Sequence, residues 1–245
     1  MKKVLFVICI VLLLFGCFFA YKSYALNILY NFNKFDIDSV IIERANNISV
    51  GDTITIEHND KIGKNVIEYE NVKVKNNFKG FVTNEFIHED DSITYRLKED
   101  DETKAAFQIH ISKSYVDSIK NGDYSKEKYS PKQDVFNKLL SDNNINDDKD
   151  LINFLINNRD KQNNIYTSIK NMRENYAIKY LLYLILPYDE IRFIDGDYDG
   201  YYRIDSENKI IDIKKDDKYY IFRFYSNEYF SLDFVLDVMS TLVIE

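Results

Sequence analysis

The sequence predicts an α+β fold: an N-terminal transmembrane or signal segment, an antiparallel β-rich half, a central helical block, and C-terminal strands closed by a helix. Three observations carry this. From 38 to 112 apolar residues recur at every second position; from 133 to 186 they recur every third or fourth; from 190 to 225 the period of two returns. Strands, then helices, then strands again is the order of an α+β chain rather than of an alternating parallel one. The linear division is residues 1–25 as the membrane or signal segment, 26–120 as a β-rich part, 121–133 as a linker and 134–245 as an α+β part. The β-rich and α+β parts are free to pack as one domain.

The chain opens on Lys2 and Lys3, followed by the uncharged run Val4–Ala20. Such a run rises about 25 Å as a helix, near the lower end of what crosses a bilayer core. Basic residues before it orient the bulk of the chain away from the cytoplasm. Three readings differ in what stays attached. The unbroken length exceeds the roughly 7–15 residues of a signal-peptide apolar region, which favours a retained anchor meeting the membrane through residues 4–21. Ser23 and Ala25 supply small residues for cleavage after Ala25. Leu14-Phe15-Gly16-Cys17 resembles the lipobox of bacterial lipoproteins, which would make Cys17 a lipidation site. Phe15 is bulkier than that pattern prefers, and Phe18-Phe19 departs from its polar tether. All three readings export the rest of the chain.

Cys9 and Cys17 are the only cysteines, and both lie in this run. The exported part therefore has no thiol, disulfide or thiolate metal site. About 215 residues suffice to bury an ordinary core, and without Trp the large-volume packing falls to 20 Tyr and 17 Phe. Lys outnumbers Arg 25 to 7, and Asn, Ile and Tyr are plentiful. That bias suggests an AT-rich genome, so Lys and Asn runs carry little functional weight. Three of the 32 basic residues, and none of the 40 acidic ones, precede residue 26. Residues 26–245 thus carry a net −11, a surface that repels nucleic acid at long range. No nucleic-acid partner is expected.

Residues 22–36 read as a juxtamembrane stretch or a first packed helix. In the β-rich part, 40–42 and 53–56 are β-branched runs, and 66–69, 72–75, 93–97 and 107–111 alternate apolar with polar residues. Gly51-Asp52, Asn59-Asp60, Asn76-Asn77 and residues 99–102 punctuate them as turns. One wet face and one buried face make the sheet antiparallel. Ser130-Pro131 starts a helix with Val135, Phe136, Leu139 and Leu140 on one side. A second helix carries Leu151, Ile152, Leu155 and Ile156. A third, over 164–186, carries Ile165, Ile169, Met172, Tyr176, Tyr180 and Tyr183 and ends at Pro187. Strands follow at 190–194, 201–204, 210–213 and 219–225, and a helix over 232–243 closes the chain.

The strongest local signal is Asp195-Gly196-Asp197-Tyr198-Asp199-Gly200. Carboxylates at alternate positions before a Gly match the front half of an EF-hand loop. The back half fails, because Ser206 stands where a bidentate Glu is needed and Glu207 comes one residue late. A calcium loop of another kind would use Asp195, Asp197, Asp199 and Asp205. The competing reading is an acidic hairpin turn, which Asp-Gly pairs favour.

His110 alternates with Phe107, Ile109 and Ile111, so it belongs with Gln108 and Ser112 on the wetter sheet face. His58 and His88 read as turn residues, and no pair has the spacing of a zinc site. The chain has no G-x-S-x-G, H-E-x-x-H, P-loop or G-x-G-x-x-G. Ten aromatics crowd the C-terminal third: Tyr198, Tyr201, Tyr202, Tyr219, Tyr220, Phe222, Phe224, Tyr225, Tyr229 and Phe230. They read either as half core and half cross-strand pairs or as anchors for a ligand. Export, acidity and surplus Tyr point to a non-enzymatic binding domain of the bacterial cell envelope, its partner a protein or the cell wall. The alternatives are an extracytoplasmic hydrolase using two carboxylates and a calcium-stabilised structural module.

Overall fold

The computed structural model describes residues 10–18, 20, 39–59, 65–76, 83–89, 91–99, 102–126, 130–159, 172–226 and 228–245. It is α+β, with antiparallel-rich sheets and several helices. The chain divides into two compact units, one of residues 1–46 and 119–185 and one of residues 47–118 and 186–245.

The first unit is helical. Residues 10–18 form a helix, and α1 runs Ser39–Asn47. Among the described residues no helix is long and apolar enough to cross a membrane. Then come α3 (Gln133–Asp142), α4 (Asp148–Asn158) and α5 (Met172–Ile185). Phe136 and Leu139 of α3, Leu151 and Leu155 of α4, and Ala177 and Leu181 of α5 are buried. The Phe136 and Tyr180 rings meet at 6.0 Å. A reciprocal cap starts α4: Asp147 Oδ1 accepts from the Asp150 amide at 2.9 Å, and Asp150 Oδ2 accepts from the Asn146 amide at 3.1 Å.

The second unit holds the strands. The short edge strands β1 (Ser49–Val50) and β2 (Ile54–Ile56) both run parallel to β8 (Glu190–Gly196). From β8 the large sheet continues antiparallel through β9 (Asp199–Ile204), β10 (Asn208–Lys215) and β11 (Lys218–Tyr225). β11 then pairs with β7 (Glu102–Lys113), and β7 with β6 (Ser92–Glu99) and β5 (Thr83–Glu89). So strands from both sides of the helical block lie in one sheet, joined at β7 and β11. Antiparallel β3 (Asn65–Tyr69), β4 (Val72–Asn76) and β12 (Val243–Ile244) form a smaller sheet. The helices of this unit are α2 (Tyr115–Lys120, which runs across the division at its C-terminal end) and α6 (Leu232–Ser240). One core unites a face of the large sheet with the small sheet and α6, and it includes Phe107, Ile109, Phe222, Phe224, Val74 and Met239.

Several sequence expectations are corrected. Val40-Ile41-Ile42 lie in helix α1 rather than in a strand. Three β-branched residues in a row are poor helix formers, but Ile41, Ala45 and Ile48 also recur at helical spacing, and Ala45 and Ile48 are buried. His88 lies within β5, opposite Ile93, rather than at a turn. α2 was not expected; its start is marked by Ser114, whose Oγ accepts from the Asp117 amide at 2.9 Å. The closing helix stops at Ser240, and the chain goes on into β12. The juxtamembrane stretch 22–36, Cys9 and the first part of the third predicted helix, 164–171, lie outside the described residues.

Candidate functional site

Pleating divides β11 in two. Tyr220, Phe222 and Phe224 enter the core, while Tyr219, Ile221, Arg223 and Tyr225 take the opposite face. The register extends that face across the sheet: Arg203, Ile210, Arg223, Gln108 and Thr94 lie in one row, and Tyr201, Asp212, Ile221, His110 and Ser92 in the next. It is the polar face on which the alternation of β7 places His110, Gln108 and Ser112.

Its centre is a buried ion pair. Arg203 Nη2 donates to Asp212 Oδ1 at 2.7 Å and lies 2.6 Å from Oδ2, with both side chains about 97% removed from solvent or more. Arg203 Nη1 donates to the Tyr115 hydroxyl at 3.1 Å, and the guanidinium lies over the Tyr188 ring, 4.5 Å from its centroid. Burial opposes the charge on Arg203. Asp212 and the two tyrosines more than offset it, so the guanidinium pKa is raised. The Tyr201 and Tyr219 rings stack at 6.0 Å with hydroxyls 3.1 Å apart.

Further along, Tyr225 donates its hydroxyl proton to Gln108 Oε1 at 2.9 Å, and Gln108 Nε2 donates to Thr94 at 3.2 Å and Ser92 at 3.4 Å. His110 is half-buried, and burial, then the charge of Arg223, lowers its pKa; a bond to the Asp91 backbone and the charges of Asp91 and Asp212 pull the other way. Arg223 itself has a buried Nε with no hydrogen-bond partner.

The acidic loop is built as a hairpin turn between β8 and β9. Asp195 and Gly196 end β8, and Asp199 starts β9. Asp197 Oδ2 accepts from the His58 amide at 2.7 Å, and Tyr198 donates its hydroxyl proton to the Leu242 carbonyl at 2.8 Å. Gly196 has φ +118°, and a Cβ there would lie 2.5 Å from the Ile56 carbonyl oxygen of the edge strand. At Gly200 a Cβ would collide with the Asp212 carbonyl oxygen of β10. Sheet geometry thus accounts for both glycines.

Asp205 is not brought to this loop. It sits at the far end of β9, roughly 20 Å from Asp199 at strand rise. There its Oδ1 accepts from the Glu207 and Asn208 amides, each at 2.8 Å, and so holds the next hairpin. Among the described residues no three His, Cys, Asp or Glu side chains converge as metal ligands. Of the crowded aromatics, Tyr202, Tyr220, Phe222, Phe224 and Phe230 are core, and Tyr229 is the large one left exposed. Cys17 is exposed on its helix. Sequence reasoning reached the polar face through His110 but missed Arg203, Asp212 and Arg223, since single Arg and Asp residues carry no local signal in so charged a chain. No family model, curated protein or solved structure matches this chain.

Proposed function

We propose that this chain is a membrane-held, extracytoplasmic binding domain of the bacterial envelope rather than an enzyme. The observation that carries the membrane part is the helix over 10–18. Leu12, Leu13 and Leu14 are each 65% exposed or more, and Ile10, Val11, Phe15 and Phe18 are exposed with them. Exposed apolar side chains on consecutive turns call for a lipid environment. Residues 4–9 extend the same uncharged run toward Lys2 and Lys3, and a lipid on Cys17 would serve the same end. Binding is supported by the polar face of the large sheet, where buried and half-buried donors lie on a rigid frame.

The test uses the full chain in native envelopes, with a photo-crosslinking residue at Lys214, exposed at the end of β10 on the face that carries Asp212. A discrete adduct, of one protein or of wall fragments, is the expected result. Failure to form any adduct there and from a second position on the same face, Ser112, would overturn the binding role.

A further inference from the structure

Arg223 lies in mid-sheet, with Ile210 opposite it on one neighbouring strand and Gln108 on the other. Its Nε is buried and without an acceptor. A guanidinium cannot escape by losing its proton, and an unsatisfied buried donor bears the full cost of its desolvation. The chain has acid to spare, with 40 acidic against 32 basic residues, yet among the described residues none accepts from Arg223 Nε. Asp212, on the next strand, is ion-paired with Arg203, which donates to its Oδ1 and lies 2.6 Å from its Oδ2, and neither oxygen is hydrogen-bonded to Arg223. Gln108 has its oxygen on Tyr225 and its nitrogen on Thr94 and Ser92. Glu85 and Glu89 occupy register positions on β5, three strands from β11, a distance of roughly 14 Å.

We propose that Arg223, flanked by His110 and Tyr225, receives a carboxylate carried by the binding partner. The guanidinium edge offers Nε–H and Nη–H as a fork whose spacing fits the two oxygens of a carboxylate. One cation beside an imidazole that burial keeps neutral matches a singly charged anion better than a phosphate dianion. The sheet carries an unsatisfied donor because the acceptor arrives with the partner, a place where stability yields to binding. The inference rests on the binding role proposed above.

The full chain in detergent, labelled with [15N]arginine, would be titrated with the α-amide of N-acetylglutamate at constant ionic strength. The Arg223 Nε–H resonance, assigned by its loss in Arg223→Gln, should shift and saturate. Sodium chloride should not reproduce the shift. A shift that never saturates, or a larger saturable shift with inorganic phosphate, overturns the carboxylate assignment. The unliganded Arg223→Gln protein should melt at the parent temperature or up to about 4 °C above it; a marked fall would make Arg223 a structural residue. Lastly, the Lys214 crosslink should drop at least tenfold in Arg223→Gln. An unchanged adduct rejects docking at Arg223 and leaves the binding role standing, whereas no adduct in either protein removes both.

Discussion

Arg203 and Asp212 lie on neighbouring strands of one hairpin and make an ion pair in which Nη2 is 2.7 Å from Oδ1 and 2.6 Å from Oδ2, both side chains being buried. Taking one partner away leaves the other charge in a place it cannot leave. Asp212→Leu should therefore cost about 3–5 kcal/mol, whereas Arg203→Met with Asp212→Leu should recover most of that loss. Urea unfolding of the two variants measures both. A double variant no more stable than the single would show that the loss came from packing rather than from the stranded charge.

The β8–β9 hairpin separates steric need from ion binding. Gly200→Ala and Gly196→Ala should each destabilise by more than about 2 kcal/mol, since one collides with backbone and the other forces a side chain into positive φ. Asp197→Ala gives up one bond to the His58 amide and should cost about 0.5–1.5 kcal/mol. Millimolar Ca²⁺ should leave the melting temperature of the parent unchanged. A rise that disappears in Asp197→Ala would restore the calcium reading of Asp195, Asp197 and Asp199.

The pH dependence of stability should carry a step from His110. Unfolded, the imidazole titrates near its ordinary value of about 6.5; folded, burial first and Arg223 second hold it lower. Between the two values the unfolded chain binds more protons. The His110 contribution is therefore complete above the unfolded value, is lost as pH falls toward the folded one, and then levels off. His110→Gln should remove that step. In Arg223→Gln, the His110 pKa read by NMR should move up toward the ordinary value.

Core and surface aromatics of the C-terminal third should differ sharply. Phe222 is fully buried and stacks 6.4 Å from Phe107, so Phe222→Ala should cost about 3–5 kcal/mol. Tyr229 is 41% exposed, and Tyr229→Ala should fall within about 0.5 kcal/mol of the parent. Thermal melts of the pair would show the contrast.

The legible parts of the fold are those written in local period. Tyr220, Phe222 and Phe224 alternate with Tyr219, Ile221 and Arg223, and the sheet sorts them as that alternation demands. The pairing of β7 with β11 spans more than a hundred residues and leaves no local trace. Residues 40–42 show the limit of composition: β-branched side chains said strand, and the wider spacing through Ile48 decided for helix. The ion pair was half legible. Counting outward from the Asp205–Asn208 turn puts Ile210 opposite Arg203 and Asp212 two positions beyond, on the same face. The unsatisfied Arg223 was not legible, because it depends on where every competing acceptor goes.

Everything proposed about binding rests on the compartment, which protease treatment of intact spheroplasts expressing the full chain tests most directly. The central claim predicts that the protein sediments with membranes and that the sheet unit is digested from outside while a cytoplasmic control survives. Full protection until the membrane is broken, or recovery in the soluble cytoplasmic fraction, would contradict it.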